Sequence, residues 1–198
     1  MKTGKKTQDF QGEIKKLKKP VTDKDLAFLT GNDFNDYLND MAIVQKFASL
    51  NRETMVEIIL KESGLQEVDR FETVHNYIDF KRMILRKGAV SAENGETILI
   101  PINMRDGSLL CVGKGNENWN YSAPHGAGRL MSRNKAKEVI KITEFVETMK
   151  NIYSTSVNTG TLDEAPQAYK PMEEILQAIT DTVKVIGIIK PVYNFKSH

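Results

Sequence analysis

The chain has 198 residues, of which 40% are hydrophobic and 27% are charged, and its formal net charge is +2. This composition suffices for one globular domain with a core and excludes a chain that is disordered throughout. No stretch approaches the roughly 18 apolar residues of a membrane-spanning helix, and the N-terminus lacks the apolar core of a signal peptide. The sequence therefore predicts a cytoplasmic protein without a membrane partner.

The N-terminal stretch is rich in lysine. It holds seven lysines against Asp9 and Glu13, a local charge of +5 that leaves −3 for the rest of the chain. Such a segment either contacts nucleic-acid phosphates or is a solvated, partly helical lead that ends at Pro20. Both interpretations stay open. We treat residues 1–20 as a basic lead without an assigned role, followed by a folded domain at residues 21–198.

A long helix is predicted after the turn TGND. Asn32 or Asp33 is a candidate N-cap, and Gly64 is a candidate stop. Arg52 falls within the apolar stripe, where an unpaired charge is costly. Either it faces an anionic partner, or it reaches out to solvent, or the helix breaks there. The stripe has a spacing of 3.6 residues and consists of Phe34, Tyr37, Leu38, Met41, Val44, Ala48, Met55 and Ile59.

Short β-rich runs replace the helical pattern from residue 68 onward. They are FETVHNYIDF, RMILRKGAVS, GETILIPINM and SLLCVGKGN, parted by Gly, Asn and Asp, and they predict a meander-like β region. Cys111 lies within one apolar run, which predicts a small core residue and not a redox group. Helical patterns return with Ser132 as a candidate cap for RNKAKEVI, then in TEFVETMKNI and KPMEEILQAIT, before the strand-like TVKVIGIIKPVYNF. This order predicts an α+β fold.

The stretch SAPHGAGRL places His125 before three small residues and a group of cations. Small residues let the backbone turn sharply and bring successive N–H groups toward an anion. A neutral imidazole beside such a phosphate-binding loop can attack a phosphorus atom. Spacing alone also fits a glycine turn with a surface histidine. The cations that follow are Arg129, Arg133, Lys135 and Lys137.

The other two histidines, His75 and His198, are expected to have different roles. His75, in TVHNYIDF, is a candidate metal ligand or phosphate contact, or a hydrogen-bonded core residue. His198 is terminal and is expected to fray. If His125 is a nucleophile, His75 is the one internal histidine left for a metal, whereas a catalytic Zn or Mn site requires several converging ligands.

Several segments of the sequence together point to a protein family more specifically than any one of them alone. They are VHNYIDF, LRKGAVSA, IPINMRDGS, SAPHGAGRLMSRNKAK, DEAPQAYK and IKPVYNFK. In order and spacing they resemble the C-terminal half of the RtcB family of GTP- and manganese-dependent tRNA-splicing RNA ligases. The stretch FNDYLNDMAIVQKFASLNRE resembles the helix that precedes them. The resemblance covers residues from about Leu26 to Lys196, while residues 1–20 match no part that we can assign.

The resemblance implies an RtcB-like α+β domain at residues 21–198, with a mixed or antiparallel sheet and flanking helices. It also implies a ligase that joins RNA ends bearing a 2′,3′-cyclic phosphate or 3′-phosphate to 5′-hydroxyl ends, using GTP and Mn²⁺ and, in some settings, a protein activator. By position, His125 corresponds to the guanylate acceptor and His75 to a manganese ligand. The positions that correspond to nucleotide contacts are Asn76, Asn103, Ser108, Gly126, Ala127, Gly128, Tyr169 and Lys196, and those that correspond to RNA-phosphate contacts are Lys87, Arg129 and Arg133.

This chain departs from the family pattern in two ways. Asn103 stands where the family has a small serine, which would reshape the guanine pocket. The family's upstream motifs of the types DxxC, GNHFxE and HSGSR, which carry its other metal ligands and an acidic guanine contact, do not occur. We therefore expect about half of an RtcB-like protein, which works only with the missing N-terminal half, whether that half is supplied by a partner chain or was lost by truncation. The alternatives are an inactive remnant that binds RNA or nucleotide, and an interaction module without enzymatic activity.

Overall fold

The computed structural model describes residues 28–196, which fall into two compact units divided between Ser63 and Gly64. The predicted basic lead and its boundary with the domain at residues 21–198 lie outside the described residues, as does His198. Within the described part of the chain, no helix is long and apolar enough to cross a membrane.

The first unit contains a single described helix, α1, which spans Gly31–Ser63. It begins before the two predicted caps, so Asn32 and Asp33 lie in its first turn. The carboxylate of Asp33 there interacts favourably with the positive end of the helix dipole. The helix ends at the predicted stop, where Gly64 has a φ of +68° that favours glycine. It runs unbroken through Arg52, so the predicted break is wrong. None of its 33 residues is buried within this chain.

The second unit contains two three-stranded antiparallel sheets, with strand orders β1-β2-β5 and β3-β4-β6. The predicted strand runs are confirmed in place, but the meander is wrong because β2 and β3 belong to different sheets. Strand β5 was not predicted, since three residues are too few for a periodic pattern. The strands are β1 (His75–Asp79), β2 (Ile84–Ser91), β3 (Thr97–Asn103), β4 (Gly107–Gly113), β5 (Ser122–Pro124) and β6 (Val183–Ile189).

Three α-helices accompany the sheets: α2 (Arg133–Val139), α3 (Ile142–Met149) and α4 (Met172–Ala178). Ser132 caps α2 as predicted, because its hydroxyl accepts the N–H of Lys135 at 3.2 Å. Short 3-10 turns lie at Glu117–Trp119, Thr159–Glu164 and Pro166–Ala168. The α+β class is therefore confirmed, and every pairing between the named strands is antiparallel.

The core of the second unit follows from the alternation of side chains along its strands. Ile98, Ile100 and Ile102 are buried on one face of β3, and Leu109 and Cys111 are buried on β4. Each fully buried aliphatic side chain contributes about 1.5–3 kcal/mol. Burial raises the pKa of the Cys111 thiol to about 11, which confirms the predicted inert core residue.

A buried arginine joins the three strands of the first sheet. Arg86, on β2, is 1% exposed and donates from Nη1 to Asp79 Oδ2 at 2.9 Å and to the Tyr77 hydroxyl at 3.0 Å. Its Nε donates to Ser122 Oγ, on β5, at 3.0 Å. Burial alone would raise the pKa of Asp79, but hydrogen bonds from Arg86 and from the N–H of Arg82 lower it overall. These contacts tie β1 and β5 to the central strand.

Replacing this arginine should destabilise the sheet. We expect Arg86→Ala to lower the free energy of unfolding by about 3 kcal/mol, because the buried ion pair and its hydrogen bonds are lost together. Chemical denaturation followed by circular dichroism measures the loss. Arg82→Ala is the matched control, since Arg82 pairs with Glu93 at the surface and contributes little. Equal losses of unfolding free energy in the two variants would contradict the structural role assigned to Arg86.

Candidate active site

A cleft of about 690 Å³ brings together most of the predicted site residues. Its walls come from the start of β1, from β3 and β4, from the loop after β5, and from the last described residues of the chain. Asn76 and Lys87 are the two predicted residues outside its lining. The predicted residues that line it are His75, Asn103, Ser108, His125, Gly126, Ala127, Gly128, Arg129, Arg133, Tyr169 and Lys196.

His125 follows β5 directly, and a backbone carbonyl fixes its ring. The Nδ1 atom lies 2.6 Å from the Gly88 carbonyl oxygen, and because a carbonyl only accepts, Nδ1 carries the hydrogen. In the neutral imidazole, Nε2 then keeps its lone pair. Gly88 has a φ of +66°, which favours glycine, whereas a Cβ there would make an ordinary van der Waals contact with the His125 ring at 3.5 Å.

Two residues of β1 support this arrangement. Asn76 lies at a register shift of the strand with a left-handed φ of 57°, and its Oδ1 accepts the Gly88 N–H at 2.7 Å. Asn76 therefore holds the peptide whose carbonyl orients His125. The ring of His75 stacks on that of His125, with centroids 5.0 Å apart and planes inclined by 19°. The role predicted for Asn76 in nucleotide binding stays a prediction, and its described contact is with the backbone.

The loop after His125 is held by backbone hydrogen bonds on both sides. Ala127 is buried, and its N–H donates to the Pro101 carbonyl at 3.0 Å. The Gly128 carbonyl accepts the N–H of Lys170 at 3.2 Å. The expectation that successive N–H groups here face an anion is therefore wrong at Ala127, whose N–H is already used within the fold.

Glu164 is the residue of the cleft that sequence reasoning missed. Its side chain is 16% exposed, and it accepts hydrogen bonds from the Tyr169 hydroxyl at 2.9 Å and from Arg133 Nη1 at 2.8 Å. Lys196 Nζ lies 3.2 Å from Oε2, and Arg129 Nη1 lies 3.8 Å from Oε1. The segment DEAPQAYK carried the signal, since it places a carboxylate five residues before the predicted tyrosine.

The carboxylate of Glu164 and its neighbours shift each other's protonation. Burial would raise the pKa of Glu164, but the Tyr169 hydrogen bond and the charges of Lys196 and Arg133 lower it overall. Burial, and then the hydrogen bond and charge of Glu164, raise the pKa of Tyr169 to about 12. Tyr169 is therefore a neutral phenol near neutral pH, with its proton directed at the carboxylate.

The predicted RNA-phosphate residues occupy different surroundings. Arg129 bonds inward, to the Tyr169 hydroxyl at 3.0 Å and to the carbonyl oxygens of Met131 and Asp163. Arg133 is 65% exposed and extends from the start of α2, paired with Asp163 and Glu164. Lys87 is exposed on β2 and lines a second pocket. Of these residues, Arg133 is therefore an exposed cation in the wall of the cleft, and Lys87 is an exposed cation in the second pocket.

Asn103 and Ser108 flank the turn between β3 and β4. The Asn103 Oδ1 accepts the N–H groups of Arg105 and Asp106 at 3.0 and 2.9 Å, and its Nδ2 donates to Asp106 Oδ2 at 2.8 Å. The side-chain amide that replaces the family's serine is therefore engaged in shaping the turn. Ser108 pairs with Pro101 and Ile189 across the sheet, which places it on the floor of the cleft.

Comparison with known proteins identifies the family of this chain. A family described as tRNA-splicing ligase RtcB matches residues 4–197, so the expectation that residues 1–20 match no part of the family is wrong for residues 4–20. The chain belongs to the RtcB family. The RNA-splicing ligase RtcB of Escherichia coli K12 is 32% identical over 203 residues, which cover 92% of this chain and 49% of the relative. The tRNA-splicing ligase RtcB of Nanoarchaeum equitans is 30% identical, over 92% of this chain and 46% of the relative. The tRNA-splicing ligase RtcB of Aeropyrum pernix is 32% identical, over 78% of this chain and 40% of the relative.

This RtcB-family chain spans about half the length of the curated relatives it matches. Manganese is implied by the family resemblance, and the donor set can be tested against it. Among residues 28–196, no three His, Cys, Asp or Glu side chains converge on a metal position. His75, beside His125, is one imidazole donor, whereas a catalytic site requires several. The described residues therefore do not form a manganese site by themselves.

The role of Glu164 in the RtcB-family cleft predicts a pH-dependent loss of stability. We expect Glu164→Gln to lower the free energy of unfolding by about 2 kcal/mol at neutral pH, because three cations and one phenol lose their carboxylate partner. The folded-state pKa of Glu164 is lowered, so its stabilisation is present above the unfolded value of about 4.3 and disappears as the pH falls through the folded value.

Denaturation curves of both proteins between neutral and acid pH measure this difference. Glu174→Gln is the matched control, since the Glu174 carboxylate pairs with Lys170 at the surface and its loss costs little. A difference between the wild type and Glu164→Gln that stays constant down to low pH would contradict the ionised carboxylate.

Proposed function

We propose that this chain is the nucleotide-accepting part of a GTP-dependent RNA ligase, and that His125 is its guanylate acceptor. The observation that carries the proposal is the hydrogen bond from His125 Nδ1 to the Gly88 carbonyl, which leaves Nε2 as the nucleophilic nitrogen. The imidazole lines a cleft large enough for a nucleotide. The names of the similar proteins, RNA-splicing and tRNA-splicing ligases, supply the reaction class.

In the first step, the Nε2 lone pair of His125 attacks the α-phosphorus of GTP. The new N–P bond forms as the bond from that phosphorus to the bridging oxygen breaks, and pyrophosphate leaves. The ring carries a positive charge in the resulting phosphoramidate because Nδ1 keeps its hydrogen. The Gly88 carbonyl, which already accepts that hydrogen, stabilises the charge without any movement of the backbone.

In the second step, an oxygen of an RNA 3′-phosphate attacks the histidine-bound phosphorus. The N–P bond breaks, and His125 returns to its starting tautomer while GMP is joined to the RNA end. A 5′-hydroxyl then attacks the RNA phosphorus, GMP leaves, and the hydroxyl proton passes to solvent. A 2′,3′-cyclic phosphate must first be opened by water, because the activated end requires a free phosphate oxygen.

The cleft supports these steps through its polar wall. Ser108, Tyr169 and Lys196 are the proposed guanine contacts, and all three line the space beside His125. The exposed guanidinium of Arg133 is the cation available to an RNA phosphate. Glu164 offsets part of this positive charge. A triphosphate therefore requires further positive charge.

That further charge is the chemistry that Mn²⁺ would supply when bound, by polarising the phosphates. Of the described residues, His75 is the one that we propose as its ligand. The remaining ligands would come from the half of the family that this chain does not cover, and we propose a second polypeptide or a longer chain as their source. A protein activator is a further proposed partner.

The test is attachment of GMP to the protein. The chain is mixed with the N-terminal half of the Escherichia coli relative, labelled GTP and Mn²⁺, and the acid-labile adduct is mapped by mass spectrometry. We expect the adduct on His125 and its complete loss in His125→Ala, because no other group takes the place of the imidazole. His198→Ala is the matched control and should retain the adduct.

A wild-type mixture that never forms the adduct would overturn the enzymatic proposal. RNA binding that persists in His125→Ala under the same conditions, with its usual dependence on salt, would then indicate an RNA-binding remnant. Loss of both adduct formation and RNA binding would leave an interaction module.

A further inference from the structure

A second pocket, of about 490 Å³, lies next to the support of His125. Its lining includes Gly88, whose carbonyl orients the imidazole, and Pro124, which directly precedes His125. Strands β2 and β5 form much of its wall, and Trp119 lines it from the 3-10 turn before β5. The pocket therefore borders the backbone segments that precede and orient the nucleophile of the cleft.

The pocket presents flat apolar surface to solvent. Trp119 is the one tryptophan of the chain, and 55% of it is exposed. Leu85, two residues before Lys87 on β2, is 70% exposed. A large exposed indole is the kind of surface on which a nucleobase stacks, because both rings bury apolar area and neither loses a hydrogen bond.

The charge around this surface is positive. Leu85 and Lys87 lie on the same face of β2, since side chains two apart on a strand point the same way. Arg86 also lines the pocket, with its guanidinium paired to Asp79. None of the described lining residues is an Asp or a Glu, in contrast to the cleft, where Glu164 faces the cations.

We propose that this pocket binds an unpaired base of a single-stranded RNA, with the base stacked on Trp119 and the adjoining phosphate paired with the Lys87 ammonium. The proposal rests on the proposed function for the identity of the nucleic acid. Because Gly88 lines this pocket and its carbonyl holds the His125 ring, a base held here belongs to the RNA end that reaches His125. The pocket then positions the RNA end, while the cleft carries out the chemistry.

Trp119 itself reports on the occupant, because it is the one indole of the chain. We expect a short single-stranded RNA with a 3′-phosphate to quench its fluorescence saturably. A duplex of the same sequence should quench far less, since its bases are already stacked on one another. Equal quenching by single strand and duplex, or none by either, would overturn the proposal.

Variants separate stacking from charge when affinity is measured by the anisotropy of labelled RNA. Trp119→Ala should weaken binding of the single strand about tenfold, and Trp119→Phe should retain most of the affinity. Lys87→Met should weaken binding and reduce its dependence on salt. Tyr153→Ala, which removes an exposed aromatic ring elsewhere, is the matched control and should leave the affinity unchanged.

Circular dichroism verifies that each variant is folded. We expect the variants to fold, because Trp119 and Lys87 are exposed at the surface. A folded Trp119→Ala protein with wild-type affinity would overturn the proposal. Quenching by an apolar peptide but not by RNA would do so as well, and would indicate a protein partner. If GMP attachment to His125 is seen without RNA quenching, the pocket proposal fails alone. If RNA quenching is seen without GMP attachment, the enzymatic proposal fails alone.

Discussion

The hydrogen bond from His125 to the Gly88 carbonyl is the interaction on which the site depends. It selects one tautomer of the imidazole and leaves the lone pair on the other nitrogen. The carbonyl is itself fixed, because Asn76 accepts the N–H of Gly88 from a bulge in β1. Two neighbouring strands and the end of a third thus cooperate to orient one ring. Arg86, buried at the centre of the same sheet, keeps those strands together.

The positive charges of the cleft are balanced by the carboxylate of Glu164 and not by solvent alone. Glu164 contacts three cations and a phenol, and holds the end of the described chain against the turn that carries DEAPQAYK. These ion pairs hold Lys196 and Arg133 beside the carboxylate, at the cost of part of their attraction for phosphate. The second pocket has no such carboxylate among its described lining residues. The two depressions therefore differ in chemistry, although Gly88 lines the second pocket and its carbonyl holds the histidine of the cleft.

Much of the fold was predictable, because local patterns determine local structure. Alternation along β3 and β4, the cap at Ser132 and the stop at Gly64 are short-range signals, and each is confirmed. The two-sheet arrangement was not predictable, since β5 and β6 pair with strands far away in sequence. Glu164 was missed for a related reason: only Tyr169 lies near it in the sequence, while Arg129, Arg133 and Lys196 come from two distant segments that no spacing rule links to it.

The sequence by itself determined the family, the α+β class and the histidine that the proposed chemistry requires. Those conclusions rest on motifs and periodicities that are contiguous in the chain. Only the tertiary structure decided which nitrogen of His125 carries the hydrogen, that Asn76 acts through Gly88, and that Trp119 and Lys87 border one pocket. Each of these depends on atoms from distant segments meeting within a few ångströms, which is a property of packing and not of local pattern.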